Sequence, residues 1–196
     1  MQSGSTNFKS DSAIGDTAVG ESASTNFQTQ SGYVTTSDPA LSISVPSTSI
    51  GFGALSTTVA STASSTFTVS NYTSYGYIVK VIGSTPNMGS HNLAAMGSVG
   101  PSQNGVEQFG INLVSNTSPA TFGANPVNTF SNSFGAAASG YNTTGNYKYV
   151  SGDTIAQATK TSAQTTYTLS YLVNAATTTP GGAYRGTLTL ICIGTY

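Results

Sequence analysis

Tyr167-Thr168-Leu169-Ser170-Tyr171-Leu172-Val173, then Pro180-Gly181-Gly182, then Tyr184-Arg185-Gly186-Thr187-Leu188-Thr189-Leu190-Ile191-Cys192 is the passage that decides the fold class. In the first part Tyr167, Leu169, Tyr171 and Val173 recur at every second residue. In the last part Tyr184, Gly186, Leu188, Leu190 and Cys192 form one face, with Thr187 and Thr189 on the other. A period of two is the pleat of a β-strand with one face buried. Pro-Gly-Gly between the two runs is turn chemistry, so the passage predicts a closing β-hairpin.

The same period recurs upstream. Leu41, Ile43 and Val45 alternate with serines before Pro46, and Phe109, Ile111 and Leu113 alternate within Gln108–Val114. Thr66–Ser70 and Gly76–Gly83 read as central strands, the second apolar on both faces except at Lys80. Residues 83–105 and 115–146 are rich in Gly, Asn, Ser and Pro and read as long connections. Seven to nine strands with such loops predict an all-β chain folded as an antiparallel β-sandwich, Ig-like or jelly-roll-like.

Composition narrows function by exclusion. Serine and threonine contribute 61 of 196 residues, charged residues only 6%, and the formal net charge is −1. Without a basic stripe to neutralise phosphates, no nucleic-acid partner is expected. No apolar run reaches 18 residues, so no membrane span is expected. Eleven tyrosines and eight phenylalanines supply buried area, and the low charge argues against disorder by self-repulsion. Few charges of either sign also do little to hold copies apart, which favours association. This composition suits an extracellular or cell-surface protein, secreted with its signal peptide removed.

Residues 1–36 read differently from residues 37–196, which carry the sandwich pattern. Ser5-Thr6-Asn7-Phe8 recurs as Ser24-Thr25-Asn26-Phe27, and large apolar side chains are sparse. Such a segment cannot build its own core, but an extended strand gains main-chain hydrogen bonds without one. We therefore read 1–36 as an extended N-terminal segment, a donor strand or inter-subunit arm, with Phe8, Ile14, Val19, Phe27 and Tyr33 as the side chains that seat it.

Phe52-Gly53-Ala54-Leu55, Phe67-Thr68-Val69 and Gly76-Tyr77-Ile78-Val79, with the ending from Pro180 to Tyr184, resemble secreted surface β-sandwiches of the fimbrial, spore-coat-U and WxL type. Over the span from the first Ser-Thr-Asn-Phe to Tyr196, the chain is similar to a family of uncharacterised secreted proteins of candidate-phylum bacteria. The pieces that carry this likeness are Glu107-Gln108-Phe109-Gly110-Ile111-Asn112-Leu113-Val114 and Tyr147-Lys148-Tyr149-Val150-Ser151-Gly152-Asp153-Thr154-Ile155. The resemblance implies a surface sandwich and brings no assigned activity. The chain has no tryptophan, so WxL-type wall attachment does not carry over, and one cysteine leaves no fimbrial-type disulfide.

Catalytic chemistry finds few residues. His91, in Gly89-Ser90-His91-Asn92, is the sole candidate histidine base, and no Gly-x-Ser-x-Gly elbow accompanies it. One His and one Cys fall short of a zinc site. Asp11, Asp16, Asp38 and Asp153 are the carboxylates a calcium ion would use, but no Asp-x-Asp-x-Asp-Gly loop is present. Lys80 with Asn112 or Asn174 and Glu107 is the set an isopeptide crosslink would need. Cys192 reads as a buried thiol, with an intersubunit disulfide as the alternative. Glycosylation sequons start at Asn71, Asn116 and Asn142; Pro119 weakens the middle one, leaving Asn71 and Asn142.

No catalytic residue, metal ligand or cofactor is therefore expected. The chain reads as a non-enzymatic structural subunit of an extracellular filament, pilus-like fibre, tube or surface coat, its partner being itself as a homopolymer joined by strand donation. A secreted adhesin or carbohydrate-binding sandwich recognising cell-surface glycans through tyrosines such as Tyr72, Tyr75, Tyr141 or Tyr147 is the alternative, with a viral jelly-roll coat protein behind it.

Overall fold

The computed structural model describes residues 2–5, 8–11, 20–24, 27–31, 41–46, 49–72 and 75–195. The chain divides into two compact units, Met1–Pro39 and Ala40–Tyr196.

The first unit holds two antiparallel hairpins. β1 (Gln2–Ser5) pairs with β2 (Phe8–Asp11), and β3 (Gly20–Ser24) pairs with β4 (Phe27–Ser31). Ser5 faces Phe8 and Ser24 faces Phe27, so the first and last residues of each Ser-Thr-Asn-Phe copy are cross-strand partners. The sequence repeat is a structural repeat. Phe8 and Phe27 open β2 and β4, while Ile14, Val19 and Tyr33 lie outside the described residues.

The second unit is an antiparallel β-sandwich. Its strands are β5 (Leu41–Ser44), β6 (Ser61–Asn71), β7 (Gly76–Ile82), β8 (Asn87–Met88), β9 (His91–Asn92), β10 (Gly100–Pro101), β11 (Gln108–Asn112), β12 (Val127–Asn128), β13 (Ala136–Ala137), β14 (Asn146–Tyr147), β15 (Thr154–Ala158), β16 (Ser162–Asn174) and β17 (Thr189–Thr195). One sheet runs β11-β16-β6-β5, with β12 also paired to β16; the other runs β13-β15-β7-β17. The two-residue strands are clasps within the long connections: β8 pairs with β9, and β10 with β14.

Alternation explains which side chains meet. Phe67, Val69, Tyr167, Leu169, Tyr171 and Val173 from the five-stranded sheet pack on Tyr77, Val79, Val81 and Ile155 from the four-stranded sheet. Phe67 and Tyr167 are cross-strand partners with stacked rings 4.9 Å apart. The Tyr77 and Tyr167 hydroxyls hydrogen-bond at 2.7 Å across the core, so one contact between two buried polar groups joins the sheets.

Two readings of the key passage are corrected. β16 and β17 do not form a hairpin. β16 pairs with β6, β11 and β12, while β17 pairs with β7, so residues 175–188 cross from one sheet to the other. Period-two patterning marks which face of a strand is inward and carries no information about its neighbour. β16 is also buried on both faces along its second half, because Met96, Tyr147 and Leu172 form a smaller cluster on the outer side, against Ala60 and Phe122. The long connections fold back over that face.

Candidate functional site

The sandwich is closed unevenly. On the β11 side, main-chain groups of the connections cover the sheet edge: Ala94 and Met96 bond to Phe109, and Lys148 exchanges two hydrogen bonds with Ile111 (3.0 and 3.1 Å). On the opposite side, β5 and β17 are the outer strands of their sheets. β5 pairs only with residues 68–71 of β6, so Ser61–Phe67 has no described strand on that flank. Between the two sheets on this side lies a cleft of ≈ 1550 Å³, whose wall includes Ile43, Phe52, Phe67, Tyr171, Leu188 and Leu190. Arg185 is the one charged residue among the described residues that line it.

Backbone hydrogen bonds set the direction in which β17 is open. The Val81 N–H donates to the Asp153 carbonyl (3.1 Å), and the Val81 carbonyl accepts from the Gly152 N–H (2.7 Å), both toward β15. The Thr195 carbonyl accepts from the Tyr75 N–H at the start of β7 (2.9 Å). Main-chain groups alternate flanks along an antiparallel strand. Thr189, Ile191, Ile193 and Thr195 therefore bond toward β7, while the N–H and C=O groups of Leu190, Cys192 and Gly194 aim away from the sheet. Side chains alternate between the two faces with the same period. Leu190 and Cys192 pack on the core, whereas Ile191 (39% exposed), Ile193 (42%) and Ile82 (39%) make an isoleucine patch on the outer face.

Two ion-paired clusters of side chains lie among the described residues. Glu107, just before β11, accepts hydrogen bonds from the Ala94 N–H (3.0 Å) and the Thr179 hydroxyl (2.5 Å) and pairs with His91 Nε2 (2.9 Å). Burial alone would raise the Glu107 carboxyl, but the bonds from Thr179, His91 and Ala94 outweigh it and hold it below its ordinary value. The His91 ring also meets Tyr184 edge-on at 6.0 Å. His91 is thus half-buried in a clamp joining three distant segments, not a free loop residue. Among the described residues no hydroxyl hydrogen-bonds to its ring; the Thr179 hydroxyl is held by the same carboxylate. In the second cluster Asp153 pairs with Lys148 (2.6 Å) and accepts from the Tyr141 hydroxyl (3.0 Å). The Lys148 bond is the main reason its carboxyl lies below its ordinary value.

The crosslink set is not brought together. The Lys80 amine donates to the Gly152 carbonyl (3.0 Å), Asn112 bonds with Asn116 (2.7 and 2.9 Å), and Asn174 bonds to Ser102 and Gln108. Among the described residues no group of three or more His, Cys, Asp or Glu is placed to hold a metal; Asp16 and Asp38 lie outside them. Of the sequons, Asn71 and Asn116 are enclosed (0% and 1% exposed), and Asn142 is exposed. Asn71 is enclosed because it closes the end of β6 opposite Leu41 and Ser162. Tyr141 and Tyr147 are likewise buried, leaving Tyr72 and Tyr75 exposed of the four named tyrosines. Cys192 is free and half-buried, and burial pushes its thiol up to about 11.

Comparison with family models, with curated proteins and with solved structures finds no match to this chain.

Proposed function

We propose that the chain is a non-enzymatic structural subunit of an extracellular filament, pilus-like fibre, tube or surface coat, in which copies join by β-strand addition and residues 1–36 supply the donated segment. The observation that carries this reading is the open flank: an apolar cleft between two sheets, bordered by β17 and by the stretch of β6 that has no described strand on its outer flank. Isolated sheet edges are ordinarily guarded by charge, proline or a covering loop. From Gly186 to Tyr196 there is no charged residue and no proline, and Ser61–Phe67 has none either. A strand laid on such an edge gains main-chain hydrogen bonds whatever its side chains, which suits a Ser/Thr-rich donor. The proposed homopolymer at an extracellular surface, like the resemblance to secreted surface sandwiches, belongs to this reading.

Negative-stain microscopy of the full-length protein across a concentration series tests it. Filaments, tubes or sheets that disappear on deletion of residues 1–36, while the remaining unit keeps its β-sheet circular dichroism, are the expected outcome. Polymers of normal length from the deleted chain would remove donation by 1–36.

A second reading rests on Tyr72 (53% exposed) and Tyr75 (76%), which flank the β6–β7 connection. Two exposed aromatic faces at one end of a sandwich suit stacking on sugar rings, as in a glycan-binding adhesin. Glycan-array binding by the dispersed monomer, lost in Tyr72→Ala/Tyr75→Ala, would favour it.

A further inference from the structure

The edge of β17 has a property that strand donation does not require: it is complementary to itself. Its outward main-chain groups belong to Leu190, Cys192 and Gly194, which are symmetric about Cys192, the middle residue of Thr189–Thr195. We propose that β17 is a self-pairing edge, onto which a second copy of this chain lays its own β17 antiparallel about a two-fold axis at Cys192, fusing the two four-stranded sheets into one.

The register follows from the geometry. With Cys192 opposite Cys192 of the second copy, Leu190 faces Gly194 and Gly194 faces Leu190. These are the residues whose N–H and C=O groups aim outward, so each of the three facing pairs exchanges two main-chain hydrogen bonds. On the outer face, Ile191 of each copy then lies opposite Ile193 of the other. The two exposed isoleucine patches join across the axis and shield one another, with Ile82 beside them. A shift of one residue would set outward-aiming groups against inward-bonded ones, and a shift of two would leave two facing pairs in place of three and part Ile191 from Ile193. The strand brings no charged side chain to the contact: residues 186–196 have none, and the neighbouring Lys80 amine is held by the Gly152 carbonyl (3.0 Å). A two-fold contact uses the same surface on both copies, so it closes a pair by itself. It extends the assembly reading and does not depend on donation by residues 1–36.

Two double variants of the full-length protein test the register. Both carry Ile191→Glu, which Lys80 accommodates as its cross-strand neighbour within the chain. With Ile193→Glu, each Glu faces a Glu of the other copy; with Ile193→Lys, each Glu faces a Lys. Like charges directly opposite destabilise a strand pair and opposite charges stabilise it. For wild type, amide exchange at Leu190, Cys192 and Gly194 should slow as protein concentration rises, while Ile191 and Ile193 stay protected throughout. The Glu/Glu variant should lose that slowing, exchanging at least about tenfold faster at these three amides, and its pair should sediment as single copies. The Glu/Lys variant should recover both.

Concentration-independent exchange at the three amides in wild type overturns the proposal. So does equal behaviour of the two variants, whether both pair or neither does. Protection that vanishes when residues 1–36 are deleted also overturns it, and assigns the β17 edge to the donated segment. Filaments that persist in the Glu/Glu variant leave the filament reading standing. Pairs without any filament leave the two-fold contact standing alone.

Discussion

Ser170 and Asn116 are both buried polar residues, yet they differ in sign of effect. The Ser170 hydroxyl is enclosed in β16 and has no hydrogen-bond partner among the described residues. Ser170→Ala removes a polar atom that folding desolvates without compensation, so stability should rise by about 1 kcal/mol, read as a higher urea midpoint at unchanged slope. Asn116 is the opposite case. Its side chain exchanges hydrogen bonds with Asn112, donates to the Val114 carbonyl (2.9 Å) and accepts from the Gly145 N–H (3.0 Å). Asn116→Ala strands several of these groups at once and should lower stability by about 3 kcal/mol in the same assay. Nothing in Asn116-Thr117-Ser118 separates this keystone from an exposed sequon. Its partners are brought to it by the fold.

At the scale of elements, the strands differ in how much holds them. β16, thirteen residues long, is paired on both flanks, whereas β17 is paired on one. β7 lies between β15 and β17 and joins the edge strand β17 to the rest. Its first residue, Gly76, allows the close approach of β15, since a Cβ there would collide with the Ala158 carbonyl. Gly76→Ala should therefore cost about 2–3 kcal/mol and loosen β7 against β15. Native-state hydrogen exchange should show this loss first at the Val79 and Val81 amides, while β16 keeps its protection. Changes confined to β16 instead would place the strain elsewhere.

For the whole molecule, the scarcity of charge gives stability an uneven dependence on pH. Burial raises the hydroxyls of Tyr77, Tyr141, Tyr147, Tyr149, Tyr167 and Tyr171 above the ordinary value of 10.0, and the Cys192 thiol to about 11. Each of these groups is favoured in its neutral form by folding. Its contribution is whole below the unfolded value and is lost as pH rises through the folded one. Glu107 and Asp153 lie below their ordinary values of 4.5 and 3.8, so their contribution is present above those values and is lost as pH falls. Thermal midpoints should be nearly flat from about pH 5 to 9, fall steeply above about 10 and fall modestly below about 4. A broad decline between pH 5 and 9 would contradict this account.

What the sequence determined by itself was the fold class and the facing of its strands. Tyr167, Leu169, Tyr171 and Val173 are inward as their period demands, and Ser-Thr-Asn-Phe recurs as the same hairpin position twice. These are local facts, because the pleat ties each side chain's direction to its place in the strand. What only the tertiary structure decided was who sits beside whom. β16 and β17 part into different sheets, Glu107 gathers His91 and Thr179 from far along the chain, Asn71 is enclosed between its strand partners, and Tyr147 vanishes beneath a connection that read as an open loop. The open flank belongs to the same class of fact. Leu190 and Cys192 announce an inward face, but an edge is defined by the absence of a neighbour, and neighbours are chosen by packing over the whole molecule.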